Sequence, residues 1–218
     1  MRLLISILFL LCFYSQASAQ KFSFIQYNTS KGLPQSQVYT ITQDDAGYIW
    51  VGTFGGLARF NGETFTNYGR NNGLLNNRIT KLEVIDGTLY IGHPQGISIK
   101  NSDNSFTSIS HTKDTVLNNV SGFSAIDSTV YVSTNGGGLY LFNKKKKRLN
   151  PIHNSPNRIR DILSYQGKLY LATRTGLYLY DGETFQLLDH SEQNSFSGME
   201  RKGHLIYASS FNGTLYQL

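Results

Sequence analysis

The sequence predicts an all-β fold of five repeated four-stranded sheets, and three observations carry that prediction. Two small-residue landmarks recur five times at a period near 40 residues, tight-turn dipeptides punctuate each period, and the composition is aromatic and glycine-rich. Of 218 residues, 39% are hydrophobic, 13% aromatic and 16% charged, with 21 glycines. Low charge with many aromatics excludes disorder, and abundant glycine excludes a long coiled coil. No stretch after residue 20 approaches the roughly 20 apolar residues that span a bilayer.

Residues 1–19 read as a cleavable signal peptide: Arg2 is a short positive region, Leu3 to Phe13 an apolar stretch, and Ala17-Ser18-Ala19 a small-residue cleavage site before Gln20. Cleavage removes Cys12, the single cysteine, and lowers the formal charge from +6 to +5 with the loss of Arg2. The chain is therefore expected in the periplasm or outside the cell. Without disulfides it depends on core burial and hydrogen bonding.

Residues 20–218 hold the repeats, with units at roughly 32–68, 73–109, 116–152, 157–188 and 195–218. A small residue closing the second strand recurs as Gly52, Gly92, Ser133, Ala172 and Ala208, and a glycine opening the third as Gly56, Gly96, Gly138, Gly176 and Gly213. The first strand carries apolar residues at i and i+3, as in Val38 and Ile41 or Ile159 and Ile162. That spacing suits a helix, yet the segments between turn signals are too short for one. Asp86-Gly87, Asp127-Ser128 and Gln166-Gly167 read as hairpin turns needing positive φ. Second strands such as Leu89-Tyr90-Ile91 and Val130-Tyr131-Val132 are continuously apolar, which suits burial on both faces.

Four strands in about 40 residues is the size of one β-propeller blade. Lone sheets cannot bury both faces, so radial stacking is expected, with aromatics filling the wedges and small residues relieving crowding. The chain starts in the phase of a fourth strand, at Phe22–Tyr27, and its last unit stops after a third. That strand is expected to complete the last blade and close a ring of five; an open five-blade arc fits equally.

The unit at 32–68 resembles the two-component regulator propeller repeat in Gly32-Leu33, Asp44, Gly47, Trp50, Gly52-Thr53, Gly56-Leu57, Phe60 and Asn61-Gly62. Later units depart from it, with Tyr90, Tyr131, Tyr170 and Ile206 in place of the tryptophan. The resemblance implies the periplasmic sensing half of a hybrid two-component system of Bacteroidetes that detects oligosaccharides. It also implies a downstream kinase and a usual seven blades, so the open arc would be part of a longer propeller.

Metal, cofactor and catalytic motifs are not found, and the five histidines, His93, His111, His153, His190 and His204, lack ligand spacing. No catalytic residue, metal ligand, cofactor or nucleic-acid partner is therefore expected, and the chain is not expected to be an enzyme. Asp44 and Asp45 are expected to shape a turn. Lys144-Lys145-Lys146-Lys147-Arg148 reads as a solvated outer hairpin, or alternatively as a dock for an acidic glycan or membrane surface.

Second-to-third-strand loops and blade-to-blade loops should emerge on one face. They offer Phe54, His93, Gln95, Asn135, Arg174, Phe211, Asn212, Arg78 and Arg158, together with Arg70, Asn71, Asn77 and Asn157. Amide, guanidinium and aromatic groups suit sugar recognition. The expected function is a non-enzymatic sensor propeller for a glycan-derived ligand, with a signalling partner. The alternatives are a polysaccharide hydrolase or lyase and a protein-interaction scaffold.

Overall fold

The computed structural model describes residues 24–110 and 117–218. The expected signal segment lies outside these residues, as do Phe22, Ser23 and His111. The described residues form an all-β propeller of five antiparallel blades, and helix among them is limited to two 3-10 turns, Thr29–Lys31 and Arg70–Asn72. Blade one holds β1 (Val38–Gln43), β2 (Ile49–Thr53), β3 (Leu57–Phe60) and β4 (Phe65–Tyr68). Blade two holds β5 (Lys81–Ile85), β6 (Thr88–His93), β7 (Gly96–Lys100) and β8 (Phe106–Ser110). Blade three holds β9 (Val120–Ile126), β10 (Thr129–Thr134), β11 (Gly138–Asn143) and β12 (Arg148–Pro151). Blade four holds β13 (Ile159–Tyr165), β14 (Lys168–Thr173), β15 (Leu177–Tyr180) and β16 (Phe185–Leu187). Blade five holds β17 (Phe196–Lys202), β18 (Leu205–Ser210) and β19 (Leu215–Gln217), three strands among the described residues.

The turns form as their sequences require. Asp86 and Gly87 both take positive φ, 48° and 69°, which matches the right-handed twist of β5 and β6. Asp127 and Gln166 hold the corresponding left-handed backbone in blades three and four. The Gly-Leu opening of the first two units has a similar cause. Gly32 and Gly73 end the 3-10 turns at φ 104° and 97°, and Leu33 and Leu74 then drop into the core.

The i and i+3 spacing of the inner strands has a specific cause. Val38 pairs with Thr53 and Thr40 with Gly52, so Tyr39 is an extra, unpaired residue. The same bulge recurs at Ser121, Arg160 and Ser197. A bulge inserts one residue and re-aims its side chain. Apolar residues three apart therefore share one face, and the bulged residue points elsewhere.

Core burial lies between blades. Trp50 and Leu57 of blade one pack on Ile79, Leu82, Leu89 and Ile91 of blade two. Tyr131 and Leu139 of blade three likewise meet Ile159, Ile162, Leu169 and Leu171 of blade four. The small residues do relieve crowding: a Cβ on Gly52 would lie 2.6 Å from both Ile79 and Thr40.

The fifth unit is shifted by one residue from its sequence alignment. Met199 pairs with Ala208 as Ile162 pairs with Leu171, so Ser209 and not Ala208 takes the place of Gly52. Tyr207, not Ile206, stands where Trp50 does, and Thr214 rather than Gly213 opens the third strand.

The N-terminal segment also departs from expectation. Residues 24–27 form no strand, and Tyr27 packs edge-on against Phe60 and Phe65 of blade one, so the described part does not complete blade five. Inner strands pack in succession from β1 through β5, β9 and β13 to β17, and among the described residues no comparable contact joins β17 back to β1. The end faces are correspondingly bare. Val38 and Ile41 are 46% and 65% exposed, whereas their counterparts in the other four blades are buried. Leu215, the counterpart of buried Leu57 and Leu139, is 67% exposed. The described residues thus take the open arrangement of the two expected.

Candidate functional site

The bulges and loops converge at one mouth of the propeller axis. The bulged side chains Tyr39, Ser121 and Arg160, with Thr80 at the equivalent point of blade two, line a cleft of about 210 Å³ beside Arg78, Asn119 and Asn135. A second cleft of about 440 Å³ shares Asn135 and Arg160 and adds Asn118, Gly136, Asn157, Arg158 and Arg174. Second-to-third-strand loops and blade-to-blade loops therefore do share one face.

Each loop is pinned from below by the last residue of the second strand. Thr53 Oγ1 donates to the Gly56 carbonyl at 2.8 Å and accepts the Gly55 N–H. Thr134, Thr173 and Ser210 repeat this with Gly138, Gly176 and Thr214. Blade two replaces the hydroxyl with His93, whose ring nitrogens lie 3.0 Å from the Arg78 carbonyl and 2.9 Å from Ser98 Oγ. The ring is fully buried, and burial pushes its pKa down to about 4, against the weaker upward pull of its bond to the Arg78 carbonyl. His93 is thus a neutral pin beneath the face and not part of it.

Of the other expected residues, Asn135, Arg174, Arg78 and Arg158 are brought together in the clefts. Phe54 and Phe211 support arginines at that mouth. The Arg78 guanidinium lies over the Phe54 ring at 4.3 Å, and that of Arg160 over Phe211 at 4.2 Å. Tyr39 meets Phe54 edge-on. Asn119 and Arg158 precede the first core residue of their blades, and both hold left-handed backbone, at φ 59° and 54°. Gln95 and Asn212 are not brought in: Gln95 accepts from Asn76, and Asn212 donates to Asn194. Arg70, Asn71 and Asn77 line a separate groove of about 660 Å³ beside Pro34 and Gly55.

Arg160 is the residue that loop-based reasoning misses, because it belongs to a strand. The i and i+3 spacing of Ile159 and Ile162 was its signal, since such spacing in a strand requires a bulge between them.

The bulge is followed by a second layer of charge. Lys81 and Asp161, at one register position in blades two and four, meet across the axis at 3.3 Å. The other Asp161 oxygen accepts the Met199 N–H at 2.9 Å. Glu83, nearby, has its pKa raised by burial first, with Lys81 pulling it down and Asp161 and Glu200 pushing it up.

Elsewhere the expected structural roles hold. Asp44 Oδ1 accepts the Ala46 and Tyr48 N–H groups, and Oδ2 accepts Trp50 Nε1 at 2.7 Å, which ties the turn to the tryptophan. Residues 144–148 are all exposed on the β11–β12 hairpin, where Asn143 Oδ1 accepts the Lys146 N–H.

The pattern of the two component regulator propeller family matches residues 32–55. A curated histidine kinase P4 from Formosa agariphila is 46% identical over 57 residues, which is 26% of this chain and 4% of that protein. Two solved extracellular domains of hybrid two component systems from B. thetaiotaomicron share the fold. One is 22% identical with a TM-score of 0.66, covering 84% of this chain and 27% of that one. The other is 16% identical with a TM-score of 0.72, covering 88% and 31%. Virginiamycin B lyase from Staphylococcus aureus, 11% identical, superposes with a TM-score of 0.64 over 84% of this chain and 69% of its own. The chain thus spans about a third or less of the two-component proteins it matches. At these identities the structural likeness is one of fold. Residues 32–55 match the two component regulator propeller repeat, and strands of the same antiparallel order recur in the other described blades.

Proposed function

We propose that this chain is the ligand-binding propeller of an exported, non-enzymatic sensor in a two-component signalling system, and that its ligand derives from a glycan. The axis mouth carries this reading: a concave surface of guanidinium and amide groups, built from loops that hydroxyl pins and bulges hold in place. Preformed polar groups around a cleft of several hundred cubic ångströms suit a small polar ligand. The residues lining the two clefts include no carboxylate and no histidine, so the walls offer binding groups without a general acid–base pair. The family match and the histidine kinase relative support a signalling context, and the apolar stretch before Ala17-Ser18-Ala19 supports export.

The test is thermal denaturation of the purified chain against a panel of plant and algal oligosaccharides, with the parent polysaccharides assayed for released sugar. A raised Tm with one oligosaccharide and no sugar release is expected. Sugar release that disappears in Asp161→Asn would overturn the reading in favour of an enzyme.

A further inference from the structure

Resting on that reading of the axis mouth, we infer that the ligand is anionic: a saccharide bearing carboxylate or sulfate groups, gripped by Arg78, Arg158, Arg160 and Arg174. The four arginines reach the clefts from different places in the chain. Arg78 and Arg158 come from blade-to-blade loops, Arg160 from a strand bulge, and Arg174 from a β14–β15 loop. Gathering four positive charges around two adjoining clefts costs free energy unless something compensates them.

The described residues do not compensate them. Among the described residues none of the four is within ion-pair distance of a carboxylate, and the one salt bridge found there is Lys81 to Asp161. Asp161, beside Arg160 in sequence, is occupied by Lys81 and the Met199 amide. Two of the guanidiniums are instead held by aromatic faces, Arg78 on Phe54 and Arg160 on Phe211. A cation over a ring face is restrained without using up its N–H groups, and the guanidinium fork matches carboxylate and sulfate oxygens in pairs. Asn135 and Asn157 then offer amides for hydroxyl groups on the same ligand.

The test is calorimetric titration of the full chain with three probes: trigalacturonate, a sulfated heparin tetrasaccharide and neutral maltotriose. One or both acidic probes should bind, with affinity falling as salt rises, and maltotriose should not. Arg160→Gln and Arg174→Gln should each weaken binding roughly tenfold or more, with unchanged thermal unfolding confirming that the variants fold. Arg148→Gln, on the outer hairpin, should bind as the parent does. If a neutral sugar binds as well and ignores both substitutions, the anionic assignment falls while the sensor reading stands. Arginine-dependent binding of sulfate ion with no saccharide bound would keep the anion site and sink the glycan reading. Binding of none of these probes overturns the assignment.

Discussion

Two neighbouring positions of the inner strand have opposite fates across the five blades. The first holds Val38, Ile79, Val120, Ile159 and Phe196, all apolar, and in every blade with a predecessor it is buried in a junction. The second holds Tyr39, Thr80, Ser121, Arg160 and Ser197, which share no chemistry. Four of these five line the cleft at the axis mouth, three of them on bulges. The repeat therefore dictates residue type where blades stack and leaves it free one residue later, where function can differ from blade to blade. On the function proposed here, stability belongs to the junctions and recognition to the mouth.

That division can be broken by substitutions on either side of it. The largest effect is expected at a filled junction. Leu139→Ala should lower the unfolding free energy by about 2–5 kcal/mol, because it removes a fully buried side chain packed between blades three and four. Urea unfolding measures this, and affinity for trigalacturonate in the surviving fold should stay unchanged.

His93 joins the two regions, since it pins the Arg78 carbonyl from inside blade two. Its folded pKa, about 4, lies below the ordinary 6.5, so the unfolded chain takes up the proton first as pH falls. The stabilisation is whole above pH 6.5 and is lost towards pH 4, amounting to about 3 kcal/mol at most. Denaturant titrations across that range should show the decline. His93→Thr, which installs the pin used in blades one, three and four, should flatten it.

Gly52→Ala sets a Cβ against Ile79 and Thr40 and should cost about 1–3 kcal/mol through overpacking. The smallest effect is expected at an end face. Val38→Ala occupies the same register as Ile159 but is half exposed, and it should cost below about 1 kcal/mol. A cost matching that of Leu139→Ala would mean that something covers this face.

The sequence made one of these two positions readable and hid the other. Junction residues announce themselves, because burial demands apolar groups at a fixed period and close approach demands Gly52 and Gly92. The Asp86-Gly87 turn and the structural role of Asp44 were legible for the same reason, since local backbone geometry restricts residue type. Arg160 was hidden because a bulge breaks the alternation by which strand residues are assigned to faces. His93 was hidden because a buried imidazole with two partners looks, in sequence, like a polar loop residue. The fifth unit misled because Ala208 and Gly213 satisfy the landmarks one residue away from the positions that pairing selects.

Adjacent residues Ile159 and Arg160 give the most direct test of the division, by titrating trigalacturonate into Ile159→Val and Arg160→Gln beside urea unfolding of each. Ile159→Val should lose about 0.5–1.5 kcal/mol of stability and keep its affinity. Arg160→Gln should lose roughly tenfold in affinity and keep its stability within about 0.5 kcal/mol. If both variants lose stability and affinity together, junction and mouth are one structural unit and the account is wrong.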